Sequence, residues 1–134
     1  MFMATNWPAV GEHYTPAYQL SSIPYLSSSV ISNGQVHTYE FPYITRFVSV
    51  TNKGTSSTDG ICISFSENGL KPSVGNFNTL DKGTSLAGEF RTTTLFISCS
   101  SGTDVKYNLL CGLTNIPAKN FLPLTGSNGY QGIG

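Results

Sequence analysis

The stretch Val105-Lys106-Tyr107-Asn108-Leu109-Leu110-Cys111-Gly112-Leu113 places an apolar or aromatic side chain at every second position. Alternation with a period of two puts those side chains on one face of a β-strand. Shorter runs with the same period lie at residues 61–65 and 95–99. Because a strand with one apolar face is typical of antiparallel sheets, these runs predict an all-β fold.

Turn-forming pairs such as Asn33-Gly34 and Asn68-Gly69 divide the middle of the chain into short segments. Asn33-Gly34 stands between two strand-like runs and predicts a β-hairpin with a type I′ turn. No convincing helical period interrupts the series. The predicted strands are residues 25–31, 36–41, 43–52, 60–66, 76–80, 84–91, 94–100 and 105–113.

About eight short strands favour a single jelly-roll-like antiparallel β-sandwich. An immunoglobulin-like sandwich stays open as the alternative, since the number of strands does not separate the two. The inward faces of the strands predict a core of Val48, Val50, Ile61, Ile63, Phe65, Leu86, Phe90, Leu95, Ile97, Val105, Tyr107, Leu109 and Leu113.

The segments on either side of this domain have a different character. Residues 1–23 form an N-terminal arm rich in proline and aromatic residues, 24–114 form the β-sandwich domain, and 115–134 form a glycine-rich C-terminal arm. Aromatic residues without a sheet period need a surface to pack against. We therefore expect residues 1–23, 115–134 or both to contact neighbouring subunits, through Phe2, Trp7, Tyr14, Tyr18, Phe121, Leu124 and Tyr130. The alternative is that the arms lie across their own sandwich and cover its edge strands.

Charged residues make up 10% of the chain and the formal net charge is zero. A typical protein has about 25%. Few charges give weak attraction to phosphate, so no nucleic-acid partner is expected. A neutral surface also opposes self-association weakly, which suits a homo-oligomer. No apolar run reaches the roughly 20 residues of a membrane span, and residues 1–10 lack the features of a secretory signal, so we expect no membrane insertion and synthesis in a cytoplasm.

No arrangement of residues predicts catalysis, a cofactor or a metal site. His13 and His37 are too few for the three or four ligands of a zinc site. Asp59, Asp81 and Asp104 lie at turns, where Asp commonly bonds its own backbone. The three cysteines have no metal-binding spacing and are expected to be core thiols, with one disulfide left open. The chain is therefore predicted not to be an enzyme.

Several segments together resemble small capsid-associated proteins of large aquatic double-stranded DNA viruses. They include His13-Tyr14-Thr15-Pro16-Ala17-Tyr18-Gln19, Ile23-Pro24-Tyr25, Glu40-Phe41-Pro42-Tyr43-Ile44-Thr45-Arg46-Phe47, Val50-Thr51-Asn52-Lys53-Gly54, Ile63-Ser64-Phe65-Ser66-Glu67-Asn68-Gly69 and Leu124-Thr125-Gly126-Ser127-Asn128-Gly129-Tyr130-Gln131-Gly132. The resemblance implies a single jelly roll that serves as a minor or penton capsid component. It also implies a virion location and a major capsid protein as partner. A tailed-phage head decoration protein, which is also a β domain with assembly arms, remains an alternative.

Two functions follow as expectations. The first is a virion structural protein, a minor capsid, penton or cement subunit that assembles with the major capsid protein and other shell subunits. The alternative is a glycan- or receptor-binding β-sandwich of a viral fibre or cell-surface protein. In that case aromatic faces would stack on sugars, and the candidates are Trp7, Tyr14, Tyr18, Tyr25, Tyr39 and Tyr43.

Overall fold

The computed structural model describes residues 22–99, 104–121 and 133. These residues contain eight β-strands, two short 3₁₀ turns and no α-helix. The strands are β1 (Ile23–Ile31), β2 (Val36–Glu40), β3 (Tyr43–Asn52), β4 (Ile61–Ser64), β5 (Asn78–Leu80), β6 (Ser85–Gly88), β7 (Thr94–Cys99) and β8 (Val105–Pro117). The prediction of an all-β fold with about eight strands is confirmed.

The strands form two antiparallel four-stranded sheets. The first sheet has the order β1-β8-β3-β6 and the second has the order β2-β7-β4-β5. Each strand pair in these orders is antiparallel. The chain passes back and forth between the sheets, and this interleaved order of eight strands is that of a jelly roll. The strand order therefore decides between the two sandwiches that the sequence left open.

The predicted hairpin at Asn33-Gly34 is wrong, although the turn itself is present. The Gln35 N–H donates to the Ser32 carbonyl at 3.0 Å, which closes the turn. Only Gly34 has a positive φ, 82°, whereas a type I′ turn needs one at both central residues. A positive φ at the third residue alone fits a type II turn. The strands on either side belong to different sheets, since β1 pairs with β8 and β2 pairs with β7.

The core lies between the two sheets and follows the predicted faces closely. Ten of the predicted core residues are buried, whereas Phe65, Leu86 and Phe90 are only partly buried at its margin. Phe65 also lies beyond the end of β4, so its deletion should cost less than that of a fully buried phenylalanine. Buried apolar residues that the periodicity did not reveal are Ile31, Phe41, Ile44, Leu80, Ile116 and Phe121.

All three cysteines are free thiols. Cys99 and Cys111 are buried as predicted, but Cys62 is half-buried on the outer side of β4. The expectation of a core thiol is therefore wrong for Cys62. Its Sγ lies 3.7 Å from the hydroxyl of Thr79 on the neighbouring strand.

The connection after β3 is fixed by side chains that bond its backbone. The buried Asn52 donates from Nδ2 to the Asp59 carbonyl at 3.0 Å and accepts at Oδ1 from the Gly54 N–H at 2.7 Å. Asp59 accepts at Oδ2 from the N–H groups of Thr55 and Ser56, each at 3.1 Å. The prediction that Asp59 bonds the backbone of its own turn is confirmed.

The last strand extends beyond the predicted domain boundary at residue 114. β8 continues to Pro117, where it pairs with Tyr43, and a 3₁₀ turn follows at Ala118–Asn120. Ile116 is buried and Phe121 is 8% exposed. The start of the predicted C-terminal arm is therefore part of the sandwich.

Candidate assembly surface

The outer surface of the first sheet carries apolar side chains that the core does not use. We call it the Leu26 face. The outward positions of β1, β8, β3 and β6 alternate with the buried ones, and the cross-strand pairs align them in rows. The residues of the face are Pro24, Leu26, Ser28, Val30, Phe47, Ser49, Thr51, Ser85, Ala87, Lys106, Asn108, Leu110 and Gly112.

One row of the Leu26 face is apolar and the row beside it is polar. Leu26 pairs with Leu110, and their exposed fractions are 73% and 39%. In the next row Ser28 donates to the Asn108 Oδ1 at 2.9 Å. These polar side chains satisfy one another, so little of their hydrogen bonding has to be given up when another surface covers them.

The face is also shallow and carries little charge. Among its residues Lys106 is the only one with an ionic side chain. A depression of about 530 Å³, open to solvent, lies over β1, β8 and β3 and is lined by Leu26, Leu110, Ser49, Thr51 and their neighbours. A wide, shallow and uncharged surface of this kind is better suited to a flat protein partner than to a small ligand, which favours a concave site.

The N-terminal end of the described domain lies beside the Leu26 face. Gly112 lies under the ring of Phe47 and beside the hydroxyl of Ser22, and a Cβ at residue 112 would overlap both. Ser22 is the first described residue before β1. Residues 1–21 therefore connect to the domain at one margin of the Leu26 face.

The outer surface of the second sheet differs in its apolar content. Its outward residues include Val36, Thr38, Glu40, Cys62, Thr79, Phe96 and Ser98. In this part of the described structure, Val36 is the one exposed large apolar side chain, at 44%. The small depression beside Val36 is lined by Glu67, Leu70, Lys71, Pro72 and Ser98, so two charged side chains stand among its apolar ones. The Leu26 face is thus the more apolar of the two outer surfaces.

Inside the sandwich, the middle of β1 contributes to a polar cluster, whereas Ile31 at its end belongs to the apolar core. The Tyr107 hydroxyl lies 2.6 Å from both the Tyr39 hydroxyl and His37 Nδ1, and the Ser27 hydroxyl lies 3.2 Å from that of Tyr39. Burial, together with the Tyr39 hydroxyl, raises the pKa of Tyr107 above its ordinary value of 10.0. The cluster is internally satisfied, and it fills the space over the small serines of β1.

The predicted assembly residues lie mostly outside the described part of the chain. Phe2, Trp7, Tyr14, Tyr18, Leu124 and Tyr130 are all in this group. Phe121 is described and its side chain is largely covered within its own chain. Ile133 is also described, and its carbonyl accepts a hydrogen bond from Ser66 of the same chain. At this point the C-terminal segment lies on its own domain, whereas the sequence predicted a contact with a neighbour.

The aromatic residues considered for sugar stacking are not arranged as a platform in the described domain. Tyr25 packs edge-on against Phe41 and Tyr39, with ring centroids 5.0 and 6.4 Å apart, and both tyrosines pack against the core. Tyr43 is 38% exposed. Trp7, Tyr14 and Tyr18 lie outside the described residues.

Within residues 22–99, 104–121 and 133, no group of three or more His, Cys, Asp or Glu side chains is placed to hold a metal ion. The same residues contain no helix of the length and apolarity that a membrane crossing requires.

No family model matches the chain, and no curated protein matches it. Among solved structures, the chain is similar to a de novo designed double-stranded β-helix determined by solution NMR. The sequence identity is 14%, the TM-score is 0.44, and the match covers 65% of this chain and 97% of the design.

Proposed function

We propose that the protein is a virion structural protein, a minor capsid, penton or cement subunit that assembles with a major capsid protein and with copies of itself. The single observation that carries the proposal is the Leu26 face. The jelly-roll strand order adds support, because it is the fold that the resemblance in sequence implies.

The apolar residues of this face are not explained by folding. β1 turns Ser27 and Ser29 toward the interior, while Leu26 and Val30 point outward with exposed fractions of 73% and 45%. Covering a large aliphatic side chain gains about 1.5–3 kcal/mol. That gain is left for association, since the described part of the chain does not use it.

The size of the face fits one part of a subunit interface. β1 has nine residues and the sheet has four strands, which gives at most roughly 30 Å by 19 Å, or ~570 Å², at ordinary strand spacings. A standard interface buries about 800 Å² on each partner. The face therefore supplies most of such a contact, and the terminal segments are the natural source of the rest.

The low charge of the face favours the same interpretation. Removing a charge from water is costly unless it is paired, and the face carries only Lys106. Its polar side chains are short serine, threonine and asparagine residues that lose little rotamer freedom when covered. These features favour a permanent contact in a shell over a surface that must stay in solvent.

Co-sedimentation with assembled shells tests the proposal. The wild-type protein should sediment with particles built from the major capsid protein, and Leu26→Lys should raise the dissociation constant at least about tenfold, equivalent to 1.4 kcal/mol. The matched control is Thr38→Lys, at an exposed outward position of the second sheet. Equal binding by wild type and Leu26→Lys, or binding to a glycan column by a monomer, would contradict the proposal.

A further inference from the structure

β1 is the longest of the four edge strands. It lies at the end of the first sheet and, among the described residues, pairs only with β8. The backbone N–H and C=O groups of every second residue therefore point toward the free side of the strand, where a further strand can bind them. The pairing with β8 runs through nine consecutive residues without a shift of register. No bulge therefore bends the free side of β1 away from another strand.

The other three edge strands carry features that oppose pairing with another chain. β2, β5 and β6 have five, three and four residues. β2 ends in Glu40, and β5 is followed by Asp81 and Lys82. Short edges and charged side chains are the usual protection against pairing between molecules. β1 has nine residues without a charged side chain, and its one proline, Pro24, stands near its start, so this edge lacks the protection of the other three.

The sequence of β1 is suited to pairing with its own copy in the antiparallel direction. With Ser27 on a two-fold axis, all nine residues have a partner, and outward residues lie opposite outward ones because the period is two. Pro24 then lies opposite Val30 of the second copy, and Leu26 lies opposite Ser28. Self-pairing brings identical side chains close together around the axis, where like charges would repel. The absence of charge on β1 thus favours a second copy as the occupant of this edge.

The residue before β1 does not cover the free side of the strand. A Cβ at Gly112 of β8 would overlap the Ser22 hydroxyl. The Ser22 side chain therefore leans over β8, which lies on the opposite side of β1 from the free edge.

Edge pairing would also double the Leu26 face. Two four-stranded sheets joined along β1 form one eight-stranded sheet, with an outer surface of at most ~1,140 Å² at ordinary strand spacings. A standard interface buries about 800 Å² on each partner. A single face is smaller than this area and a doubled face is larger, so the pair offers the major capsid protein a surface of sufficient size.

We propose that β1 is a self-pairing strand, through which two copies of this chain join their first sheets into one antiparallel eight-stranded sheet with Ser27 on the two-fold axis. The contact is isologous, so it closes with two subunits and leaves their Leu26 faces side by side. The inference rests on the proposed function, in which copies of the chain associate, and it names the contact between them.

Cysteine cross-linking at two inward serines of β1 tests the pairing. Ser27→Cys and Ser29→Cys are made in the full chain together with Cys62→Ser, which removes the half-buried native thiol. Ser27 lies opposite itself on the axis, at the Cα separation of about 4.4–6.8 Å that a disulfide spans. The two copies of Ser29 lie four residues out of register, roughly 14 Å apart. After air oxidation, Ser27→Cys should give at least about tenfold more disulfide-linked dimer than Ser29→Cys on non-reducing gels.

The two serines are matched, because both are half-buried on the inward side of the same strand. Face-to-face packing of two sheets would hold both of them away from the second copy. Equal linking, or no linking, in a chain that binds particles would overturn the edge pairing and leave the proposed function standing. That result is expected if residues 1–21 or a strand of the major capsid protein occupies the edge. A chain that stays monomeric at every concentration and does not bind particles would overturn both.

Exposed positions of β1 repeat the test if Ser27→Cys does not fold. Leu26→Cys mixed with Ser28→Cys brings the two thiols directly opposite each other, so dimers linked between the two variants should form and are identified by mass. Ser28→Cys mixed with Val30→Cys is the control, since these thiols lie four residues out of register. Equal yields of linked dimer from the two mixtures would overturn the edge pairing.

Discussion

β1 and β8 are hydrogen-bonded neighbours over nine residue pairs. They nevertheless differ in which side chains, polar or apolar, point toward the core and which point toward solvent. β8 buries Tyr107, Leu109 and Cys111 and exposes Lys106 and Asn108. β1 turns Ser27 and Ser29 inward and exposes Leu26 and Val30. The first pattern is the usual one for a strand with one solvated face. The second is reversed: the outward side of β1 carries the exposed Leu26 and Val30, whereas on the outward side of β8 the exposed large apolar side chain is Leu110 alone.

The difference separates the side chains whose positions are explained by the stability of the fold from those whose positions are not. The inward side of β8 meets the second sheet and forms the middle of the core. The inward side of β1 meets Tyr39 near the margin of the sandwich, where serine hydroxyls complete a polar cluster. The outward leucine and valine of β1 contribute little to the fold, and they are the side chains that the proposed assembly would use.

The largest expected difference between the two strands is in stability. Leu109→Ala removes a side chain that is 1% exposed and should cost about 2–5 kcal/mol. Leu26→Ala is the same chemical change at a residue that is 73% exposed, and it should stay within about 0.5 kcal/mol. Urea unfolding of dilute protein measures both. Equal losses would show that the outward side of β1 is part of the core after all.

A smaller effect is expected from the polar cluster. Tyr107→Phe keeps the ring but removes the hydroxyl that bonds Tyr39 and His37 at 2.6 Å. The partners are left buried and incompletely bonded, so the loss should be about 1–3 kcal/mol. Thermal unfolding of Tyr107→Phe beside Tyr43→Phe, which changes an exposed tyrosine, measures it. A stable Tyr107→Phe would mean that the cluster does not organise the inward side of β1.

The third expected effect is a loss of folding stability in alkaline solution. Burial raises the pKa of the Cys111 thiol from its ordinary value of 9.0 to about 12. Between these values the unfolded chain loses the proton while the folded chain keeps it, so stability should fall as the pH rises above 9. Cys111→Ala should flatten this decline in urea titrations from pH 8 to pH 11. The raised pKa of Tyr107 acts in the same direction above pH 10.

Strand positions could be predicted from the sequence because alternation is a local property. Tyr43–Asn52 was predicted with its observed bounds, and the inward residues of β8 were identified as far as Leu113, though not the buried Ile116 beyond it. The partner of each strand could not be predicted, because pairing joins residues far apart in the chain. Asn33-Gly34 fixes a tight turn, but it does not decide whether the next strand stays in the same sheet.

The Leu26 face could not be predicted from the sequence for a related reason. The run 25–31 contains three serines and no strict alternation of apolar residues, so it does not show which side faces the core. Burial of Ile31, set by the second sheet, places Leu26 and Val30 outside. The close approach of Gly69 to the Ile133 carbonyl was also hidden, since the two residues are 64 positions apart and no local pattern connects them.

Self-association of two matched variants tests the central claim most directly. Val30 and Val36 lie on outward positions of the edge strands β1 and β2 and have exposed fractions of 45% and 44%. Val30→Glu faces Lys106 across the pair and should preserve the fold. By sedimentation velocity, Val30→Glu should weaken self-association at least about tenfold, whereas Val36→Glu should leave it close to that of wild type. Equal association of both variants, or a stronger loss in Val36→Glu, would contradict assembly through the Leu26 face.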